Sequence, residues 1–199
     1  MSTVPPINDE KLLPWIQAGY AVFAQAGPDA LKVESLAREV GKSKSSFYHH
    51  FADLEVFTEI LLHYHLSRAA VIAQREAQAK QVIPDLLLVI LDVKEDLLFS
   101  RQVRIHRNRN GYTEVLEKVN QLTGEAMIGI WAQALGLDHN TQLAGMVLRL
   151  SLENFYLQIT EATLNYDWLV AYIENLQTIV KSFQQDGVRL DLTGNHQSQ

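Results

Sequence analysis

Apolar residues recur three and four positions apart along almost the whole of this chain, a spacing that admits helices and little else. The first run is Trp15, Ile16, Gly19, Val22, Phe23 and Ala26, one face of a helix that Gly27-Pro28 ends. Pro14 falls in its first turn, where a missing N–H costs little. Val33, Leu36, Ala37 and Val40 repeat the spacing over a shorter span, Gly41 interrupts it, and Phe47, Tyr48 and Phe51 resume it. Longer helices are expected at about 54–80, 84–99, 112–135, 140–164 and 167–185, with a short one near 101–107. Asp138 and Asp167 stand where N-caps would serve the last two long helices. No segment of four to eight residues alternates with the two-residue period of a half-buried strand. The expected fold class is all-α, with a three-helix N-terminal unit and a larger C-terminal helical part.

Composition narrows the class further. The chain has 199 residues, 47% of them hydrophobic, with 17 Lys+Arg against 23 Asp+Glu for a net charge of -6. That balance fits a folded globular protein and excludes a disordered or fibrous one. With no Cys there is no disulfide and no thiolate metal site. No run of about 18 apolar residues escapes interruption by charge, so no membrane span is expected. Met1 to Lys11 lacks the basic start and apolar stretch of a signal peptide, and a cytoplasmic location is the expectation.

The stretch from Val33 to Phe51 carries the functional signal. A helix, a turn containing Gly and a second short helix set two helices near a right angle, and the second can then enter a DNA major groove. From Val40 to Ala52 there is no acid, while Lys42 and Lys44 are basic and Ser43, Ser45, Ser46, Tyr48, His49 and His50 can reach phosphates or base edges. The start of the second helix offers backbone N–H groups to a phosphate. Spacing alone equally fits a plain α-hairpin whose Lys/Ser cap is merely solvated. Residues 1–55 hold five Lys/Arg and seven acids, so any attraction to phosphate must be local.

Taken together, Trp15-Ile16-Gln17-Ala18-Gly19-Tyr20-Ala21-Val22-Phe23, Gly27, Val33, Leu36-Ala37, Gly41, Ser43 and above all Phe47-Tyr48-His49-His50-Phe51 resemble the N-terminal domain of the tetracycline-repressor (TetR) family. The likeness covers about residues 13–57. It implies a homodimeric all-α transcription regulator, with a helix-turn-helix domain at 1–53, a ligand-binding and dimerisation domain at 54–190 and a polar tail at 191–199. It also implies that Lys44, Ser45, Ser46, Tyr48 and His49 face DNA while Phe47 and Phe51 sit in the small core. Lys42 and Ser43 join them as candidate DNA contacts. The chain departs from the family pattern at Lys32 and Lys42, which add charge. At Leu54 and in the acidic arm Asn8-Asp9-Glu10 it lacks the family's usual basic groups. A helical ligand- or partner-binding protein of the same fold with weakened or lost DNA binding is therefore the alternative.

Other chemistry fits poorly. Gly41-Lys42-Ser43 is similar to the end of a phosphate-binding P-loop, but Leu36 stands where that motif needs Gly. His63 and His65 lie about 200° apart around a helix and cannot share a metal. Neither a G-x-S-x-G elbow nor an H-E-x-x-H pair occurs, so no enzyme, cofactor or metal is expected. Arg101, Arg104, Arg107 and Arg109, with His106, form a basic cluster that is either a solvated row or a contact for an anion. Arg104, His106, Met127, Trp131 and Phe155 are the candidate ligand contacts, the aromatic ones also readable as plain core. The helix at 140–164 is apolar most of the way round, and Leu169, Tyr172, Ile173, Leu176, Ile179, Val180 and Phe183 make a near-heptad stripe. Together these two helices can form half of a four-helix dimer interface, or be buried in a monomer. The expected partners are operator DNA, a small molecule and a second copy of the chain.

Overall fold

A computed structural model describes residues 10–185, and among them there are helices and no strand. Asn8-Asp9 of the acidic arm, residues 186–190 and the tail at 191–199 lie outside the described residues. In order, the helices are α1 (Leu13–Ala26), α2 (Val33–Val40), α3 (Lys44–His50), α4 (Leu54–Glu76), α5 (Leu87–Asp92), α6 (Lys94–Ile105), α7 (Tyr112–Ala134), α8 (Thr141–Gln158) and α9 (Tyr166–Gln185). No described helix is long and apolar enough to cross a membrane.

Two apolar clusters hold the helices together. The first gathers Trp15 and Phe23 of α1, Leu36 of α2, Phe47 of α3, Phe51 just beyond it, Phe57 and Leu61 of α4, Phe99 of α6 and Val115 of α7. The second joins Leu87 of α5, Met127 and Trp131 of α7, Leu148 and Phe155 of α8, and Leu169 and Ile173 of α9. Helix α1 lies in the N-terminal unit yet packs along α6, where Phe23 and Tyr20 stack on Phe99 with ring centroids 4.0 and 4.3 Å apart. The small N-terminal unit is thereby bolted to the rest of the molecule largely through α1.

Three sequence expectations are corrected. The helix expected at 84–99 and the short one at 101–107 are instead α5 and α6, separated by Val93, whose φ of -115° and ψ of 31° break the helical path. Apolar spacing runs on through the break, from Leu87 and Ile90 to buried Val93 and half-buried Leu97, so periodicity could not reveal it. Helices α4 and α8 stop four and six residues short of the expected 80 and 164. Beyond α8, Thr160 and Thr163 cap each other, each backbone N–H donating to the other's hydroxyl at 2.7 and 3.1 Å. The N-caps are Asn140 and Asn165, accepting from Leu143 and Trp168 at 3.0 Å, rather than Asp138 and Asp167.

Gly19 is the tightest point of the α1–α4 crossing. A Cβ there would lie 2.5 Å from the Phe57 ring, and Phe57 is fully buried with nowhere to swing. Gly19→Ala is expected to destabilise the fold by about 1–3 kcal/mol, the usual range for overpacking, read as a lower urea midpoint with an unchanged slope.

Candidate nucleic-acid interface

The turn between α2 and α3 follows from three residues. Gly41 takes the left-handed conformation (φ 67°), which a side chain would resist, and the Lys42 N–H returns to the Ala37 carbonyl at 2.8 Å. Ser43 then caps α3, its Oγ accepting from the Ser46 N–H at 3.2 Å. Phe47 and Phe51 fix the roll of α3 by turning inward, edge-on to Trp15 at 5.5 and 6.5 Å and against Phe57 at 5.3 and 4.8 Å. With those two rings buried, Lys42, Ser43, Lys44, Ser45, Tyr48 and His49 are exposed and Ser46 is half-buried. Tyr48 shows 56% of its surface although it is a large aromatic side chain. The six exposed residues are candidate contacts gathered on one open surface. Leu54, by contrast, starts α4 partly buried against the first core.

One acid escaped the sequence reading because it lies on the other helix. Glu34 of α2 reaches across to Lys44, with Nζ to Oε1 at 2.5 Å, and this partner holds the Glu34 carboxyl below the usual carboxylate range. Both side chains are more than half exposed, so solvent screening leaves the pair little effect on stability. Its consequence is electrostatic: the first basic group of α3 already has an anionic neighbour.

Behind this surface, a polar network ties α1 to α4 and α6. The Tyr20 hydroxyl donates to Asp96 Oδ1 at 2.8 Å and lies 2.6 Å from His65 Nδ1. Its single proton goes to Asp96, so it accepts from Nδ1–H, and His65 Nε2 accepts from Ser100 Oγ at 2.9 Å. Burial lowers the His65 pKa to about 4, consistent with this neutral ring. Arg68 completes the set with a two-pronged contact to Asp96 through Nε and Nη2, the latter at 2.6 Å. His63, two residues from His65, is exposed and bonds the Glu59 carbonyl at 2.8 Å.

The same network borders the interior of the C-terminal helices. Two cavities of about 50 Å³ each adjoin there, sharing Ile90, Met127, Leu152 and Phe155 as walls. One is wholly apolar apart from Trp131, Ser151 and Tyr172; the other reaches His65, Asp96, Ser100, Tyr156 and Glu76. Of the candidate ligand contacts, Met127, Trp131 and Phe155 therefore meet. Arg104 stands outside this space, its guanidinium 3.7 Å over the Tyr156 ring and bonded to Asn120 and Glu153. His106 follows α6 and lies beside Gly27, its Nδ1 3.0 Å from the Gln102 carbonyl. The basic row also divides: Arg104 is buried, Arg107 lies past the end of α6, and Arg109 bonds Asp29 at 2.7 Å. Sequence reasoning missed Glu76, although it follows Ala69 and Ala73 at helical spacing and so had to face inward with them. Burial raises its pKa to about 7.

An exposed polar surface on a two-helix turn, set on an otherwise all-helical body, is the arrangement of a helix-turn-helix domain. Residues 16–55 match the model of the tetR family of bacterial regulatory proteins. The fold is similar to that of Salmonella enterica GusR, at 15% identity over 90% of this chain and 100% of that one, with a TM-score of 0.58. It is also similar to a chain from Mesorhizobium loti MAFF303099 assigned to the TetR-family transcriptional regulators, at 19% identity over 94% and 98%, with a TM-score of 0.51. No curated protein matches the sequence. Residues 16–55 are thus similar to the TetR-family N-terminal domain, on a fold similar to those of these two solved chains.

Two measurements test these electrostatics. Lys44→Ala is expected to weaken binding to any duplex and reduce the salt slope by about one unit, while Glu34→Gln strengthens binding; both are read by fluorescence anisotropy across a salt series. The unfolded chain ionises Glu76 above pH 4.5, whereas the folded chain keeps it protonated to about pH 7, so its stabilising contribution is lost as pH rises between the two. Urea denaturation is therefore expected to show Glu76→Gln gaining about 2–3 kcal/mol on the parent between pH 5 and 7.5. His65 works in the opposite direction, since the unfolded ring takes up a proton below pH 6.5 that the folded ring refuses until about 4. In Glu76→Gln, where this loss has no counterweight, stability is expected to fall by about 2 kcal/mol from pH 6.5 to 5.

Proposed function

We propose that this protein is a ligand-responsive transcriptional repressor that binds a near-palindromic operator as a homodimer, in the cytoplasm. The observation that carries the reading is the exposed Lys42–His49 surface, held outward by buried Phe47 and Phe51 within a TetR-type N-terminal domain. Residues 1–53 would supply the DNA contacts and 54–190 the ligand and dimer contacts. In the major groove, Lys42 and Lys44 would meet phosphates while Ser45, Tyr48 and His49 reach bases. Two copies related by a twofold would meet half-sites one helical turn, about 34–36 Å, apart.

Dimerisation through α8 and α9 rests on apolar side chains that the monomer leaves open. Met146, Leu150 and Leu157 form a stripe along α8, with Leu150 72% and Leu157 74% exposed, and Ile179 and Phe183 are exposed on α9. The inner side of α8 is separately filled by Ala144, Leu148 and Phe155, which explains why this helix is apolar almost all round.

The ligand would act through the polar network. A molecule seated among His65, Asp96 and Ser100 touches the groups that hold Tyr20, and through Tyr20 the angle at which α1 carries α2 and α3. Such coupling is reciprocal: the factor by which ligand weakens DNA binding is the factor by which DNA weakens ligand binding.

Anisotropy against DNA from upstream of the coding region, with a scrambled duplex as control, tests the proposal. Salt-sensitive binding at least about a thousandfold tighter to the operator is expected. Weak, salt-independent binding to both duplexes, with none selected from random DNA, would instead favour a helical ligand-binding protein without DNA function, as the Glu34–Lys44 pair and the apolar, partly buried Leu54 allow. Leu157→Glu is expected to yield a folded monomer by sedimentation with helicity retained, and to lose operator affinity by tenfold or more.

A further inference from the structure

Two polar atoms in the walls of the adjoining cavities have no partner. Glu76 Oε2 is unbonded although the residue is only 4% exposed, and Trp131 Nε1, in the wall of the neighbouring cavity, is likewise buried and unbonded. A buried polar atom left unsatisfied is destabilising, and both of these border space into which a molecule can fit. Glu76 is also the last residue of α4, where the carbonyl ends of the helix repel an anion and favour a cation.

The charges around Glu76 point the same way. On α4, His65 is neutral; on α6, Asp96 is neutralised by Arg68; on α8, burial raises the Tyr156 pKa and the Glu76 charge adds to it against the opposing pull of Arg104. Arg104, also on α6, has an unbonded buried Nη1, but it stands outside both cavities and its charge is met by Glu153 and the Tyr156 ring. No cation in the cavity wall therefore answers Glu76.

We propose that the two adjoining cavities open onto one another across their shared walls and bind a small, largely apolar amine, its ammonium on Glu76 and its body among Ile90, Met127, Leu152 and Phe155, with an acceptor atom offered to Trp131 Nε1. This rests on the ligand-responsive reading above and specifies its ligand class. Size follows from the space: a water needs about 10–15 Å³ of such volume, so the two cavities together suit roughly eight to ten non-hydrogen atoms. At neutral pH Glu76 is partly protonated, and an entering ammonium fixes the ionised form and releases a proton.

Three probes that share a phenol ring separate the alternatives by calorimetry: tyramine (cation), 4-(2-hydroxyethyl)phenol (neutral) and 4-hydroxyphenylacetate (anion). Tyramine is expected to bind the full-length protein at least tenfold more tightly than the other two. Its affinity should rise about tenfold from pH 6 to 8 as Glu76 ionises, while that of the alcohol stays level. Glu76→Gln, checked for folding by circular dichroism, is expected to abolish both the amine preference and the pH dependence while leaving alcohol binding within twofold. If that variant does not fold, the pH profile of the parent decides alone. Equal binding of amine and alcohol, preference for the acid, or no binding of tyramine would overturn the amine assignment. Operator release by the alcohol or the acid would do so while leaving the ligand-responsive reading intact; operator binding unmoved by every bound probe would count against that reading as well.

Discussion

A carboxylate that is 97% removed from solvent has to be answered from several directions, and in this molecule Asp96 decides how the helices meet. Leaving such a charge unpaired costs several kcal/mol. It is satisfied only when Arg68 of α4 and Tyr20 of α1 arrive together. Tyr20 in turn needs His65, and His65 needs Ser100 of α6. The stack of Phe23 and Tyr20 on Phe99 supplies the apolar part of the same joint. The attachment of the helix-turn-helix unit to the body is therefore set by directional bonds inside a greasy contact. Such a joint favours a small set of discrete arrangements over a continuous range.

How much of this was legible beforehand depends on how local the cause is. The α2–α3 turn could be read because its determinants, Gly41, Ser43 and the Phe47/Phe51 pair, lie within a dozen residues and each acts on its neighbours. Helix α7 could be read because Gly111 and Gly136 punctuate it. The break at Val93 could not, since apolar periodicity passes through it undisturbed. Asn140 and Asn165 took the capping roles expected of Asp138 and Asp167 because a cap is chosen by the backbone geometry at one residue, and composition only supplies the candidates. The Tyr20–Asp96 bond spans 76 positions and has no signature in any window of sequence. The Glu34–Lys44 pair, ten positions apart, needed the angle between two helices.

Placing an acid at the inner end of α4 opposes the stability of the fold, and the opposition is graded by pH. Glutamine would fill nearly the same space without a charge to desolvate. His65 carries the mirror-image liability, since burial holds it neutral where water would let it protonate. With one group favouring low pH and the other high, their opposite slopes largely cancel between about pH 4.5 and 6.5, and both groups border the same cavity. Whatever occupies that cavity changes the solvation of both at once.

If the α3 surface meets DNA as proposed, the exposed pair of Glu34 and Lys44 gives it a built-in rival for the phosphate backbone. On the proposed reading, every duplex has to displace the same carboxylate, so the toll falls equally on right and wrong sites. A protein searching a chromosome faces millions of wrong sites, and its time is lost mainly by lingering on them. Lowering the grip on all DNA by a constant factor shortens each mistaken stop. The difference that base contacts make between operator and bulk stays whole. A weakly basic, acid-screened helix-turn-helix is thus suited to sampling widely and being held only where the bases fit.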